Sequence, residues 1–163
     1  MRCDLCLRWY AEASVLRCSH LNRALCVSHK KESSMKKPTI ESSQEELIAF
    51  VRDWIDLCAS GEAEYAFSFL DEPLDNSRSK WSLEDFEMVR FDHFGDNQLP
   101  VITSPLTVTG VLRNDIFEYD NGSGWGVEYD LPLNGVVSDF TLLFDFLKHG
   151  EDLKVILDDC HVM

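Results

Sequence analysis

The feature that most constrains this chain is a pair of alternating runs on either side of Asn134-Gly135. Trp125, Val127, Tyr129 and Leu131 alternate with Gly126, Glu128, Asp130 and Pro132, and Phe140, Leu142, Phe144 and Phe146 repeat the pattern. A period of two puts all eight apolar side chains on one side of a pleated surface. Asn-Gly supplies the two positive φ angles of a type I′ turn, so the runs predict an antiparallel hairpin. With a two-residue loop, Tyr129 is expected opposite Phe140, Val127 opposite Leu142 and Trp125 opposite Phe144. A further strand is expected at about 152–162 after His149-Gly150-Glu151-Asp152, and an earlier one at about 115–119 before the glycine-rich "NGSGWG".

Ahead of these strands the period changes. Leu47, Val51, Trp54 and Cys58 recur at helical spacing, with Ile48 and Ile55 widening the stripe. Ser43 with Glu46, or Ser42 with Glu45, forms a capping box at its start, and Ser60-Gly61 closes it. A short helix is expected around Ala63, Ala66, Phe67 and Leu70. A third is expected in "SKWSLEDFEMVRF", where Ser82 and Asp85 have capping-box spacing. Helices followed by an antiparallel meander predict an α+β fold, N-terminal helices packing on a curved antiparallel sheet.

"EELIAFVRDWIDLCASGEAEYAFSFLDE" followed by that meander resembles the NTF2-like superfamily over about residues 43–163. The resemblance implies a cone-shaped sheet wrapped round a helix, with a homodimer among the partners to look for. "GWGVEYDLPLNGVVSDFT" and the terminal "LDDCHVM" look like small uncharacterised bacterial proteins, some of them similar to immunity proteins. The superfamily hosts enzymes, binders and scaffolds alike, so the fold does not choose a function.

The opening thirty-one residues are of another kind. Cys3-x-x-Cys6 and Cys26-x-x-His29 are two chelating pairs nineteen residues apart, the donor chemistry of one tetrahedral, structural zinc. Cys18 and His20 are alternative ligands. So short a piece has little apolar surface to bury, and metal binding would supply most of its folding free energy. "CDLC…C…LCVSH" resembles a truncated B-box or treble-clef finger over residues 3–29. The expected organisation is a zinc module at 1–31, a linker at 32–42 with its Lys and Ser doublets, and an acidic domain at 43–163.

Charge divides along the same line. Residues 1–40 carry eight Lys/Arg against three Asp/Glu, whereas residues 41–163 carry seven against 26, within a net charge of −14. The acidic part should repel nucleic acid and attract a basic protein, with Glu118, Asp120, Glu128, Asp130 and Asp139 as candidate contacts. The leading expectation is a non-catalytic, zinc-containing binding protein, immunity-like in neutralising or sequestering a partner. One alternative is a small-molecule binder or acid–base enzyme using the cone. If Lys148 pairs with Leu153, the ladder carries Asp159 opposite Leu142 and His161 opposite Phe140, both on the apolar face beside Tyr129. His161 would then act as acid or base, Asp159 would orient it and Tyr129 would donate a hydrogen bond. Another is a nucleic-acid regulator acting through the basic residues 1–40. No apolar run approaches the roughly 20 residues that span a bilayer. A reducing cytoplasm, where clustered cysteines bind metal, is the expected setting.

Overall fold

A computed structural model describes residues 35–75, 78–94 and 99–162. The chain divides into Met1–Ser33, which lies outside the described residues, and Ser34–Met163. The second unit is α+β. Its order is α1 (Gln44–Ala59), α2 (Ala63–Phe67), α3 (Leu83–Phe94), then β1 (Asn114–Glu118), β2 (Gly124–Asp130), β3 (Phe140–His149) and β4 (Asp152–Val162). The strands form one antiparallel sheet in the order β1-β2-β3-β4.

Of the two possible caps for α1, the structure uses Ser43. Its hydroxyl accepts the Glu46 N–H at 3.3 Å and the Glu46 carboxylate accepts the Ser43 N–H at 2.8 Å, which satisfies two otherwise orphaned donors. At the far end Gly61 turns left-handed (φ 84°), and the Glu62 N–H reaches back to the Leu57 carbonyl at 2.9 Å. The stripe Leu47, Val51, Trp54, Ile55 and Cys58 is buried, as its spacing requires.

Trp54 is the hub of the core. Its ring lies 5.0 Å from that of Phe67, 5.3 Å from Phe144 and 6.0 Å from Phe86, and its indole N–H donates to the Ala66 carbonyl at 2.9 Å. One side chain thus ties together α1, α2, α3 and β3. The apolar side of the sheet is filled: Val127, Tyr129, Leu142, Phe144, Phe146, Val155 and Leu157 are all buried there.

Within the segment expected as a tether, two residues contact the domain. Met35 is 7% exposed and joins the core, and Lys37 pairs with Asp71 at 2.5 Å.

Two irregularities set the strand registers. The Asn134-Gly135 turn forms as expected, with φ of 52° and 81° and reciprocal hydrogen bonds between Leu133 and Val136. The strands beyond it are nevertheless shifted by two. Tyr129 faces Leu142, Val127 faces Phe144 and Trp125 faces Phe146. Pro132 has no N–H with which to continue the ladder. Ser138 fills the gap, its hydroxyl donating to the Leu131 carbonyl at 2.6 Å and accepting the Phe140 N–H at 3.2 Å. A two-residue slip preserves which side chains face the core.

Between β3 and β4 the expected pairs Lys148–Leu153, Phe146–Val155 and Phe144–Leu157 are all present. The ladder then skips Asp158, so that Leu143 faces Asp159, Leu142 faces Cys160 and Thr141 faces His161. Asp158 is a one-residue bulge, held by an ion pair with Arg78 and by the Trp81 indole N–H on its carbonyl at 3.3 Å. An odd slip exchanges faces.

Candidate functional site

The bulge removes the expected pocket dyad. Asp159 and His161 do associate, with Oδ2 and Nδ1 3.1 Å apart, but Asp159 is exposed and the pair stands on the sheet face away from the helices. Cys160 takes the inward position instead. Tyr129 is buried on the opposite face, below α1, and desolvation holds its phenol above the ordinary tyrosine range. The three residues therefore do not share a cavity. Asp92 and His93, at the end of α3, are exposed.

A concavity among the described residues lies beside α3 instead. α3 starts from reciprocal hydrogen bonds between Ser82 and Asp85: Asp85 Oδ2 accepts the Ser82 N–H at 3.0 Å, and the Ser82 hydroxyl oxygen accepts the Asp85 N–H at 3.1 Å. Leu83, Phe86, Arg90 and Phe94 then recur down one side of the helix, an arginine standing in an apolar stripe. Arg90 is 6% exposed. Its guanidinium lies 5.4 Å from the Phe86 ring centroid and donates to the Pro100 carbonyl, while its Nε finds no hydrogen-bond partner among the described residues. Burial lowers its pKa from the usual arginine value, with the field of Glu87 the main opposing influence. It remains a charged donor.

Pro100 and its neighbours are placed by the hairpin tip. Val101 exchanges two hydrogen bonds with Asn134, one to its backbone and one to its side chain, at 2.8 and 2.9 Å. The Thr103 N–H donates to the Pro132 carbonyl at 2.9 Å, and the Thr103 hydroxyl accepts the Gly135 N–H at 2.8 Å. The type I′ turn thus supports the strip 99–102 as a wall facing α3. Between that strip, the end of α1, the start of α2 and α3 lies an open cleft of about 670 Å³. Phe86, Leu83, Tyr65 and Ile102 give it apolar lining, and Arg90, Glu62, Glu64 and Glu87 are its charged lining groups. Cys58 also borders it, but burial pushes that thiol up to about 12, leaving it protonated and a poor nucleophile or metal ligand.

The candidate partner-binding acids fall into two groups. Glu128 and Asp130 converge on Arg113 at 3.2 and 3.5 Å, with Asp115 at 3.8 Å. Asp130 also accepts the Thr141 hydroxyl at 3.0 Å. It lies opposite Thr141, not opposite Asp139 where an unbroken ladder from the two-residue turn would place it. Glu118, Asp120 and Asp139 are exposed, Glu118 being 3.9 Å from Lys148. On the sheet face away from the helices, which also carries Glu128 and Asp130, Asp145 is buried opposite Gly126, accepting the Tyr119 hydroxyl at 2.5 Å.

Burial raises the Asp145 pKa above the ordinary aspartate value, against the opposing effects of Tyr119 and Arg78. The folded state therefore holds this proton more tightly than the unfolded chain does. Its contribution to stability is complete below the ordinary carboxylate range and is lost as pH rises through the raised folded value. Asp145→Asn, which keeps an acceptor for Tyr119, should stabilise the domain more at neutral pH than in acid. Urea unfolding at both pH values measures this, and an equal shift at the two would contradict it.

Residues 24–163 match a family model described as a domain of unknown function, DUF7668. The chain belongs to that family. No curated protein and no solved structure matches it. The DUF7668 match begins inside the cysteine-rich stretch, taking in Cys26 and His29 but not Cys3, Cys6, Cys18 or His20. All six expected zinc ligands lie outside the described residues, and among the described residues no cluster of His, Cys, Asp and Glu is arranged to hold a metal. No described helix is long and apolar enough to cross a membrane.

Arg90 belongs to no sequence motif. Its signal was positional: a cation at the place where the α3 stripe calls for an apolar residue.

Proposed function

We propose that this chain is a non-catalytic binding protein whose acidic domain receives a basic protein partner, in an immunity-like role of neutralising or sequestering it. The observation that carries this reading is the fate of the seven Lys and Arg side chains beyond residue 40. Arg52, Arg78, Arg113, Lys148 and Lys154 pair with carboxylates, while Lys80 and Arg90 donate to backbone carbonyls. Every cation is engaged within the fold, and 26 carboxylates share them. Most of the described carboxylates are exposed, which favours fast, salt-sensitive encounter with a basic surface. The filled interior between α1 and the sheet favours binding at the surface over chemistry in a cone.

In the same reading the domain is NTF2-like, supported by its helices-then-meander order and by α1 lying across the sheet. One structural zinc is held by Cys3, Cys6, Cys26 and His29, with Cys18 and His20 as substitutes. A reducing, cytoplasmic setting agrees with the unpaired, buried thiols of Cys58 and Cys160.

Capture of partners from the native host, across a series of salt concentrations, tests the reading. A stoichiometric basic protein that is released as salt rises is expected. Failure to recover one at any salt concentration would refute it. Native mass spectrometry with and without chelator should show one zinc per chain lost on chelation, and metal-free material with an equally protected N-terminus would overturn that assignment.

A further inference from the structure

A buried arginine without a carboxylate is an unfinished interaction. Desolvating a guanidinium is costly unless a counter-charge or a full set of acceptors compensates. At Arg90 the described residues supply one carbonyl and one aromatic ring, and leave Nε unpaired. The cleft beside it is of the size that encloses a small ligand or a peptide end, commonly a few hundred to about 1,000 Å³. Its charges have a direction. The cation is buried, whereas Glu62, Glu64 and Glu87 are exposed lining groups. A dianion such as phosphate would meet these glutamates as well as the arginine. The complementary ligand places a single negative charge at the buried site, apolar groups against Phe86 and Leu83, and positive charges at the rim.

We propose that the cleft receives the C-terminal end of a basic polypeptide. Its terminal carboxylate pairs with the Arg90 guanidinium, and its upstream Lys or Arg side chains meet Glu62, Glu64 and Glu87. The planar fork of arginine suits a carboxylate, which accepts two parallel N–H bonds from it. The inference rests on the basic-partner reading for the identity of the ligand, and adds where the partner docks and through which group.

Two peptides serve as probes: acetyl-Lys-Lys-Ala-Leu-Leu ending in a free carboxylate, and the same sequence ending in an amide. Titrated into the full chain and followed by NMR, the acid should bind at least tenfold tighter than the amide and shift the Arg90 side-chain and Phe86 signals. Arg90→Met keeps the length and apolar stem of the side chain, so it should remain folded by circular dichroism and bind the two peptides alike. If it does not fold, Glu62→Gln with Glu64→Gln, both at exposed positions, should weaken the acid peptide several-fold and leave the melting temperature unchanged. Equal affinity of acid and amide for the unaltered chain would overturn the carboxylate inference while leaving the acidic-surface reading intact. Absence of binding by both would overturn the inference, and the capture experiment would judge the broader reading separately.

Discussion

Replacing Trp54 by alanine is expected to lower the stability of the domain by about 4 kcal/mol, enough to leave a large fraction unfolded. The side chain is fully buried and touches the rings of Phe67, Phe86 and Phe144, which come from three other elements. Truncation leaves a cavity lined by large rigid rings that cannot collapse together without moving α2 or α3. It also strands the Ala66 carbonyl that accepts the indole N–H, adding roughly 1 kcal/mol. α2 has only five residues and is too short to persist without tertiary contacts. The loss should therefore spread to the cleft, one wall of which is the start of α2. Urea unfolding followed by far-UV circular dichroism measures the effect. A loss below about 1 kcal/mol would mean that the packing round Trp54 does not organise the core.

Gly124→Ala is the second large effect, expected to destabilise by about 3 kcal/mol or to prevent folding. Gly124 begins β2 with φ of 155°, and a Cβ there would lie 2.0 Å from the Phe146 carbonyl oxygen and 3.0 Å from Leu147 Cα. Those atoms are backbone of the inner strand β3 and cannot swing aside as a side chain would. Relief requires separating β2 from β3, the pair that carries Val127 and Phe144. Gly122→Ala is the control two residues earlier. Its φ is 69° and an added Cβ meets nothing within 4 Å, so only the left-handed backbone term of about 1 kcal/mol remains. Thermal melts of the two variants should differ widely. Similar losses would show that the close approach of the strands is not what demands glycine at 124.

The two glycines also divide what "NGSGWG" contributes. Gly122 forms the turn, its N–H donating to the Tyr119 carbonyl at 2.7 Å. Gly124 and Gly126 lie inside β2, and a Cβ on Gly126 would come 2.3 Å from the Phe117 ring. Nothing in the local sequence separates a turn glycine from one that admits a neighbour.

By itself the sequence determined the elements that local physics specifies: the Ser43 cap and stripe of α1, the Ser82 start of α3, the Asn134-Gly135 turn and the near end of the β3–β4 ladder. Each depends on residues a few positions apart, or on a period carried along one strand. Tertiary structure alone decided how the strands continue beyond their irregularities and where charge is buried. Pro132 and Ser138 introduce an even slip that leaves every core face intact. Asp158, drawn out by Arg78 and Trp81, introduces an odd one that turns Asp159 and His161 to solvent. Those partners lie 80 and 77 residues away in the chain, and parity across a bulge is invisible until they meet. Arg90 follows the same logic: its place in the stripe is local, but the cleft beside it exists only because a distant hairpin tip holds Pro100 and Val101 against α3.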